Sequence, residues 1–305
     1  KGGNNPDCRM GDCSPRLNFL GLPDEDGVAD IIIAPVPYEL TTSYGQGTID
    51  GPKACIEASQ QVELYDDLLG EELPAGKVIK TVDPWDGEGG SLQEQLDGIA
   101  KYSTKLYDSG AFPVFLGGEH GILPAILRGC PQKVTLIQID AHADLRSELD
   151  GDPYSHACSI SRSLDEGALA VHQIGVRAYC LEELEMIKND DRIHTAFARD
   201  ITNPLEGELH WSNWLSSIEK IKGPVHLTID IDGLDGSYVP ATGTPVPGGL
   251  SFWHVIHTIE TVFANCNVLS ADVNEIVPQN ETPLTQFTAA MIVTKIISAQ
   301  IAKTR

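Results

Sequence analysis

Apolar residues along the chain gather into short runs that alternate with longer stretches of helical spacing. Runs at Ala29–Val36, Lys77–Val82, Phe112–Leu116, Val134–Ile139, Ala168–Gly175, Arg192–Phe197, Val225–Ile231 and Val268–Val273 read as strands. Helical spacing covers Pro52–Leu64, Leu92–Ser109, Ile122–Leu127, Leu181–Lys188, Ser212–Ile221, Phe252–Phe263 and Pro283–Ala302. Pro52 suits a first helical turn, where its missing N–H needs no partner. Apolar strands alternating with such stretches imply an α/β protein, with helices covering both faces of a mostly parallel central sheet. One three-layer α/β/α domain is expected over residues 29–305. Residues 1–28, rich in Gly, Pro and Asp, are expected to form a loosely structured N-terminal arm.

Composition narrows this picture without redrawing it. At 305 residues the chain is near the upper limit for one core, and its 41% apolar content is ample for folding. Its 44 acidic residues outnumber the 21 of Lys and Arg, giving a formal charge of -23. That sign repels phosphate backbones, so no nucleic-acid partner is expected, and it modestly concentrates small cations and metal ions. The seven cysteines are scattered without a CxxC pair, so a disulfide framework is not expected. Cys8 and Cys13 are close together, but no second pair follows, and they read as incidental thiols. No apolar run reaches membrane-spanning length, so no membrane partner and a cytoplasmic location are expected. An organellar location is the alternative if a targeting segment precedes residue 1. Asn280-Glu281-Thr282 matches a glycosylation acceptor but carries little weight in a chain expected to be intracellular.

Three strand ends carry the candidate chemistry. After Val134–Ile139 come Asp140, His142 and Asp144; if the strand continues, all three share a face, and if it stops, they still sit at its carboxyl end. Two carboxylates and an imidazole this close need partners unless a cation joins them. A solvated acidic loop is the plain alternative. Asp230 and Asp232 repeat the pattern at the end of Val225–Ile231, with Asp235 keeping a calcium-like loop open although EF-hand spacing is not met. His120, after Gly117-Gly118, is the third element; alone it would more often be structural. Together, four carboxylates and two imidazoles can be divided between two ions. Oxygen-rich ligation favours Mn²⁺, with Ni²⁺, Co²⁺ and Zn²⁺ as alternatives.

At these motifs the sequence resembles the ureohydrolase (arginase/agmatinase) family. The matching segments are LGGEHG (116–121), IDAHADLR (139–146), IDIDGLDGSYVPATGTPVPGGLS (229–251) and SADVNEIVP (270–278). The early loop VPYELTTSYGQGTIDGP (36–52) is similar to the agmatinase branch. The resemblance implies an arginase-like fold and a homo-oligomer, trimeric or hexameric. It implies one ion among His120, Asp140, Asp144 and Asp230, and a second among Asp140, His142, Asp230 and Asp232. It further implies Glu275 as the carboxylate that engages a substrate guanidinium, His156 as a proton shuttle and Asp144 as the residue orienting the attacking water. The expected reaction is hydrolysis of a guanidino C–N bond to urea and an amine.

Departures from the family pattern bear on the substrate. Asp235-Gly236 stands where Asp-Pro is common, Ala241 where Gly is, and Glu119 where Asp is frequent. Leu145-Arg146 follows Asp144 where arginases carry Asn, which argues against recognition of an amino acid's α-groups. Agmatine, yielding putrescine, is the leading substrate, because the early loop and DAHADLR (140–146) resemble the agmatinase branch. Guanidinobutyrate, another guanidino acid or free guanidine is the alternative, with Arg146 either binding a substrate carboxylate or pairing with a surface acid. A non-catalytic metal-binding assembly protein is the alternative of a different class.

Overall fold

The structure, a computed structural model, describes residues 17–87 and 90–305. In chain order its elements are β1 (Ile31–Val36), α1 (Gly51–Ser59), the hairpin strands β2 (Tyr65–Asp66) and β3 (Glu71–Glu72), β4 (Ile79–Thr81), α2 (Leu92–Asp108), β5 (Phe112–Gly117), α3 (Leu123–Gly129) and β6 (Thr135–Ile139). There follow α4 (Ser159–Asp165), β7 (Ala170–Val176), α5 (Leu181–Asn189), β8 (Ile193–Phe197), α6 (Ala198–Ile201), α7 (Gly207–Ile218), β9 (Pro224–Asp230), α8 (Phe252–Asn265), β10 (Asn267–Asn274) and α9 (Leu284–Lys303). Each expected strand is present, within two residues at either end. The additions are α4, the single turn α6 and the β2–β3 hairpin. Ser-rich α4 and these short pieces lack the apolar periodicity that marks longer elements.

The main sheet has eight strands in the order β4-β1-β5-β10-β9-β6-β7-β8, and every recorded pairing in it is parallel. The chain lays β6, β7 and β8 to one side, then returns to insert β9 and β10 between β5 and β6. Such reversals leave a crevice beyond the carboxyl ends of the strands, where side chains from several strands converge. The alternation of the pleat sends Val225, Leu227 and Ile229 into one core, shared with Ile256 and Ile259 of α8 and Ile292 and Ile296 of α9. On the opposite face Ala34 and Phe115 pack on Leu96 and Ile99 of α2, and Leu136 and Val171 on Ile160 of α4. The result is the expected α/β/α sandwich. Helix α9 is long and apolar enough to cross a membrane, but 72% of its most apolar window is buried inside the protein, as in a core helix.

One feature breaks the apolar pattern. Gln138, Gln173, His226, Thr228, Ser270, Asp272 and Asn274 are fully buried at the centre of the sheet. Apart from Asn274 Oδ1, which has no partner among the described residues, they pair with one another and with the site: Gln173 Nε2 donates to Gln138 Oε1 at 2.5 Å, and Gln138 Nε2 to Asp140 Oδ2 at 2.8 Å. Buried polar groups this central are tolerated only when paired.

The described part of the N-terminal arm is not loose throughout. Phe19, Leu20 and Leu22 are buried, and the N–H groups of Phe19 and Leu20 donate to Thr81 Oγ1 and Ser59 Oγ, both at 2.8 Å. Apolar side chains supply the reason, since they cover the end of α1. Residues 1–16, with Cys8 and Cys13, lie outside the described residues.

Candidate metal centre

Four adjacent central strands, β5, β10, β9 and β6, end at one crevice, and each delivers candidate residues to it. β5 stops at Gly117. A Cβ on Gly118 would lie 2.0 Å from the carbonyl oxygen of Tyr38, so only glycine lets the early loop cross here. Glu119 then clamps that loop, its carboxylate accepting from the N–H groups of Leu40, Thr41 (2.6 Å) and Thr42 (3.1 Å) and from Thr41 Oγ1 (2.5 Å). His120 follows at the head of a single turn leading into α3.

The strand does not continue through the second motif. β6 ends at Ile139, so Asp140, His142 and Asp144 converge from a loop rather than along one strand face. Likewise β9 ends at Asp230, and Asp232 lies in a 3₁₀ turn whose N–H donates to Asp230 Oδ1 at 2.9 Å. Alternation therefore does not align these acids. Carboxylate caps on nearby N–H groups fold them inward instead: Asp140 Oδ1 accepts from the N–H of His142 at 2.6 Å, and Asp232 Oδ1 from that of Ala141 at 3.1 Å. Arg177 braces the Asp232 turn from behind, donating to the carbonyls of Asp232 (2.7 Å) and Leu234 (3.1 Å).

Two groups of donors result, His120–Asp140–Asp144 and Asp140–His142–Asp232, with the ligand atoms of each group within 4.8 Å of one another and Asp140 common to both. His120 Nδ1 lies 3.1 Å from Asp144 Oδ2, 3.2 Å from Asp140 Oδ2 and 3.8 Å from Asp230 Oδ2. His142 Nδ1 lies 3.2 Å from Asp232 Oδ2 and 3.6 Å from Asp140 Oδ1. Neighbouring ligands of an octahedral ion bound at about 2.0–2.2 Å stand roughly 3 Å apart, so these donors fit metal ions. His120 Nδ1 is buried without a hydrogen-bond partner, as a nitrogen awaiting a metal should be.

The electrostatics give the same answer. Burial raises the carboxyls of Asp144 and Asp230 above the usual range. The charge of Asp140 adds to this at Asp144, and those of Asp232, Asp140 and Glu275 add to it at Asp230. Burial works against a charged ring at His120 and His142. Contact with Asp140 and a second acid outweighs it, lifting His120 well above its usual range and His142 to about 11. Positive charge is what this cluster lacks, and divalent ions would supply it.

Glu275 and His156 border the same cavity as His120, His142, Asp144 and Asp230. Glu275 Oε1 accepts from the N–H of His120 at 2.8 Å, and its acid is raised to about 8 by burial and then by the charge of Glu119. His156 Nδ1 lies 3.2 Å from Thr41 Oγ1. Asp144 and Glu275 both adopt left-handed backbone, with φ of 54° and 63°. Such strain costs of order 1–3 kcal/mol and collects at functional sites. An outer cavity of about 300 Å³ opens beyond, lined among others by Arg146, Tyr179, Glu183 and Thr244. Arg146 makes no ion pair among the described residues, and Glu183 spends its carboxylate on the N–H groups of Leu145 and Cys180.

Sequence reasoning missed the Thr41–Glu119 clamp, Arg177 and the buried polar row. LGGEHG and TTSY held the signal, an acid and a run of four hydroxyl residues without a predicted role. The departures at Asp235-Gly236 and Ala241 leave the cluster complete. Asp235 closes its own loop by accepting from Ser237, Gly248 and Gly249, and the N–H of Ala241 donates to Thr285 Oγ1 at 3.0 Å.

Residues 29–298 match the Arginase family. The chain belongs to that family. Among its relatives it is 35% identical to the N(1)-aminopropylagmatine ureohydrolase of Synechocystis sp., over 88% of each chain. It is 33% identical to the agmatinase of Bacillus anthracis, covering 84% of this chain and 88% of the relative. The fold of this arginase-family protein also superposes on the proclavaminate amidino hydrolase of Streptomyces clavuligerus with a TM-score of 0.84, at 22% identity and over 96% and 99% of the two chains.

Proposed function

We propose that this arginase-family protein hydrolyses a guanidino C–N bond to urea and an amine, with agmatine as the leading substrate and putrescine as the product. The observation that carries the reading is the pair of donor groups sharing Asp140, with Glu275 at the edge of the same cavity. His120, Asp140, Asp144 and Asp230 would hold one ion, and Asp140, His142, Asp230 and Asp232 the other, with Mn²⁺ the expected metal and Ni²⁺, Co²⁺ or Zn²⁺ the alternatives. Such ions would supply a lowered pKa for a water in the crevice and positive charge to offset the charge that develops.

The side chains do the rest. Glu275, raised to about 8 by burial and like charge, gains from a guanidinium the counter-charge it lacks, and paired hydrogen bonds would fix the central carbon. Asp144 orients the water and takes its proton; Ser159 Oγ holds the Asp144 Oδ2 oxygen at 2.8 Å. That proton then passes from Asp144 to the leaving nitrogen, with His156 as the relay. Its Nδ1 faces the Thr41 hydroxyl, which donates to Glu119, so this contact is made by Nδ1–H and Nε2 is left free to exchange protons.

The names of the two relatives favour an agmatine-type tail. Arg146, which lines the outer cavity and makes no ion pair among the described residues, favours a substrate carboxylate and so a guanidino acid as the second reading. Urea release by the Mn²⁺-loaded protein from agmatine, N1-aminopropylagmatine, 4-guanidinobutyrate, arginine and guanidine decides. Release from the first two supports the leading reading. Release only from 4-guanidinobutyrate transfers the assignment to guanidino acids, and no release by folded, metal-loaded protein leaves a metal-binding assembly protein. A homo-oligomer, trimeric or hexameric, is proposed from the family resemblance, and sedimentation would test it.

A further inference from the structure

We propose that Asp272 and Thr228 are positioning residues that fix the tautomer and aim of His120, and through it the affinity of the more buried ion site. The proposal rests on His120 being a ligand, as in the function proposed above, and needs no catalysis.

The chain of contacts runs inward from the site. His120 Nε2 lies 2.7 Å from Thr228 Oγ1, and Thr228 Oγ1 donates to Asp272 Oδ1 at 2.7 Å. All three residues are buried, Thr228 and Asp272 completely. A carboxylate accepts protons and offers none, and a hydroxyl has one proton to give. Thr228 gives its proton to Asp272, so toward His120 it can only accept. As the neutral ring that a metal ligand must be, His120 therefore keeps its proton on Nε2 and turns the lone pair of Nδ1 toward Asp140, Asp144 and Asp230. That Nδ1 is the buried ring nitrogen without a partner.

Asp272 is itself held from two sides. His226 Nε2 contacts its Oδ2, and Asn274 Nδ2 donates to its Oδ1. His226 is in turn placed by Ser270 Oγ, 2.7 Å from its Nδ1. Three donors converging on one fully buried carboxylate leave it no freedom to rotate and no reason to release the Thr228 proton. Thr228 lies on β9 and Asp272 on β10, in register opposite one another, so the arrangement belongs to the sheet and not to a mobile loop. A ligand histidine usually donates its other N–H to a carboxylate, and losing that partner typically costs about 10–100-fold in metal affinity. Here a hydroxyl stands between the two and passes the constraint on.

The test is metal occupancy at graded free Mn²⁺, by equilibrium dialysis and elemental analysis, for wild type, Thr228→Val, Thr228→Ser and Asp272→Asn. Valine keeps the shape and removes the acceptor. Thr228→Val should weaken one of two ions by about 10–100-fold while the second binds as in wild type, and Thr228→Ser should restore it. Asp272→Asn lets the Thr228 proton turn toward His120 and should weaken the same ion. Two ions at wild-type affinity in folded Thr228→Val overturn the inference. If that variant does not fold, nitrogen-15 NMR of Zn²⁺-loaded wild type decides. A protected Nε2–H on His120 supports the assignment, and coordination through Nε2 overturns it. Absent urea release with this binding behaviour intact would defeat the proposed reaction alone.

Discussion

The two donor groups share Asp140 yet sit in different surroundings. On one side the His120 side chain is 1% exposed, its Nε2 is anchored on Thr228, and a buried network stands behind it. On the other, the His142 side chain is 27% exposed and borders the outer cavity. Among the described residues its Nδ1 pairs with two acids, Asp140 and Asp232, and with no hydroxyl or carbonyl anchor. A preorganised histidine loses little freedom when it binds a metal, whereas one held only by its neighbours' charges must be ordered at that moment. The pair therefore offers one ion position built into the sheet and one at its mouth, next to the outer cavity.

The largest effect should come from Asp140, which belongs to both donor groups. Asp140→Asn is expected to empty both positions and lower urea release roughly 10³-fold or more, the scale of losing a principal electrostatic group. Elemental analysis should find less than one ion per chain; two retained ions would break the shared-ligand reading. Next, the asymmetry itself can be tested by titrating a chelator into the loaded protein. The His142 side should empty first, giving a plateau at one ion per chain. His142→Asn should stop at that plateau and His120→Asn should not retain the slow, buried ion. Simultaneous loss of both ions in wild type would erase the distinction.

How much of this is legible in the sequence follows from what each residue's role depends on. His120, Asp140, His142, Asp144, Asp230 and Asp232 can be picked out because acids and imidazoles at the end of an apolar run are conspicuous against the hydrophobic pattern. The sheet is legible for the same reason. The geometry is not. Of the two alternatives the pattern left, a strand running on through Asp140, His142 and Asp144 or one stopping before them, the second holds: the chain leaves β6 at Ile139 and brings Asp144 round by a left-handed backbone that a sequence of common residues does not advertise. Glu275 has the same conformation and the same silence. Thr228, Asp272 and Gln138 sit where a strand pattern predicts core, and polar residues there look like defects until their partners, distant in sequence, are known. Long-range pairing is the information a single local pattern lacks.

Smaller effects separate substrate handling from metal handling. Glu275→Gln keeps the shape and removes the charge, so metal content should hold while kcat/KM falls by about 10–100-fold, the worth of a charge-assisted hydrogen bond. Loss of an ion from this variant would move Glu275 from the substrate side to the metal side. Thr41→Val should act on proton delivery, lowering kcat by about 10-fold, below the full contribution of a general acid, and changing its pH profile with KM little altered. Thr41→Ser should recover it. An unchanged pH profile would assign Thr41 to loop structure alone.

The smallest effect lies away from both ions and provides their control. His172 on β7 stacks on His194 of β8, ring centroids 4.5 Å apart, and burial followed by the neighbouring charge lowers it to about 4. The unfolded chain, with an ordinary imidazole near about 6.5, binds the proton first as pH falls. Its contribution to stability is therefore complete above about 6.5 and is lost progressively toward 4. The metal-free cluster has the opposite sign at Asp144 and Asp230, whose raised carboxyls take up protons in the folded state and favour it as pH falls from their folded values to the ordinary carboxylate range. His172→Gln should thus flatten the acid side of the stability curve equally in metal-free and metal-loaded protein, as read by urea unfolding at about pH 7 and about pH 4.5, on either side of most of that window. A change confined to one of the two forms would show that this edge pair is coupled to the metal centre, and the two regions could no longer be treated separately.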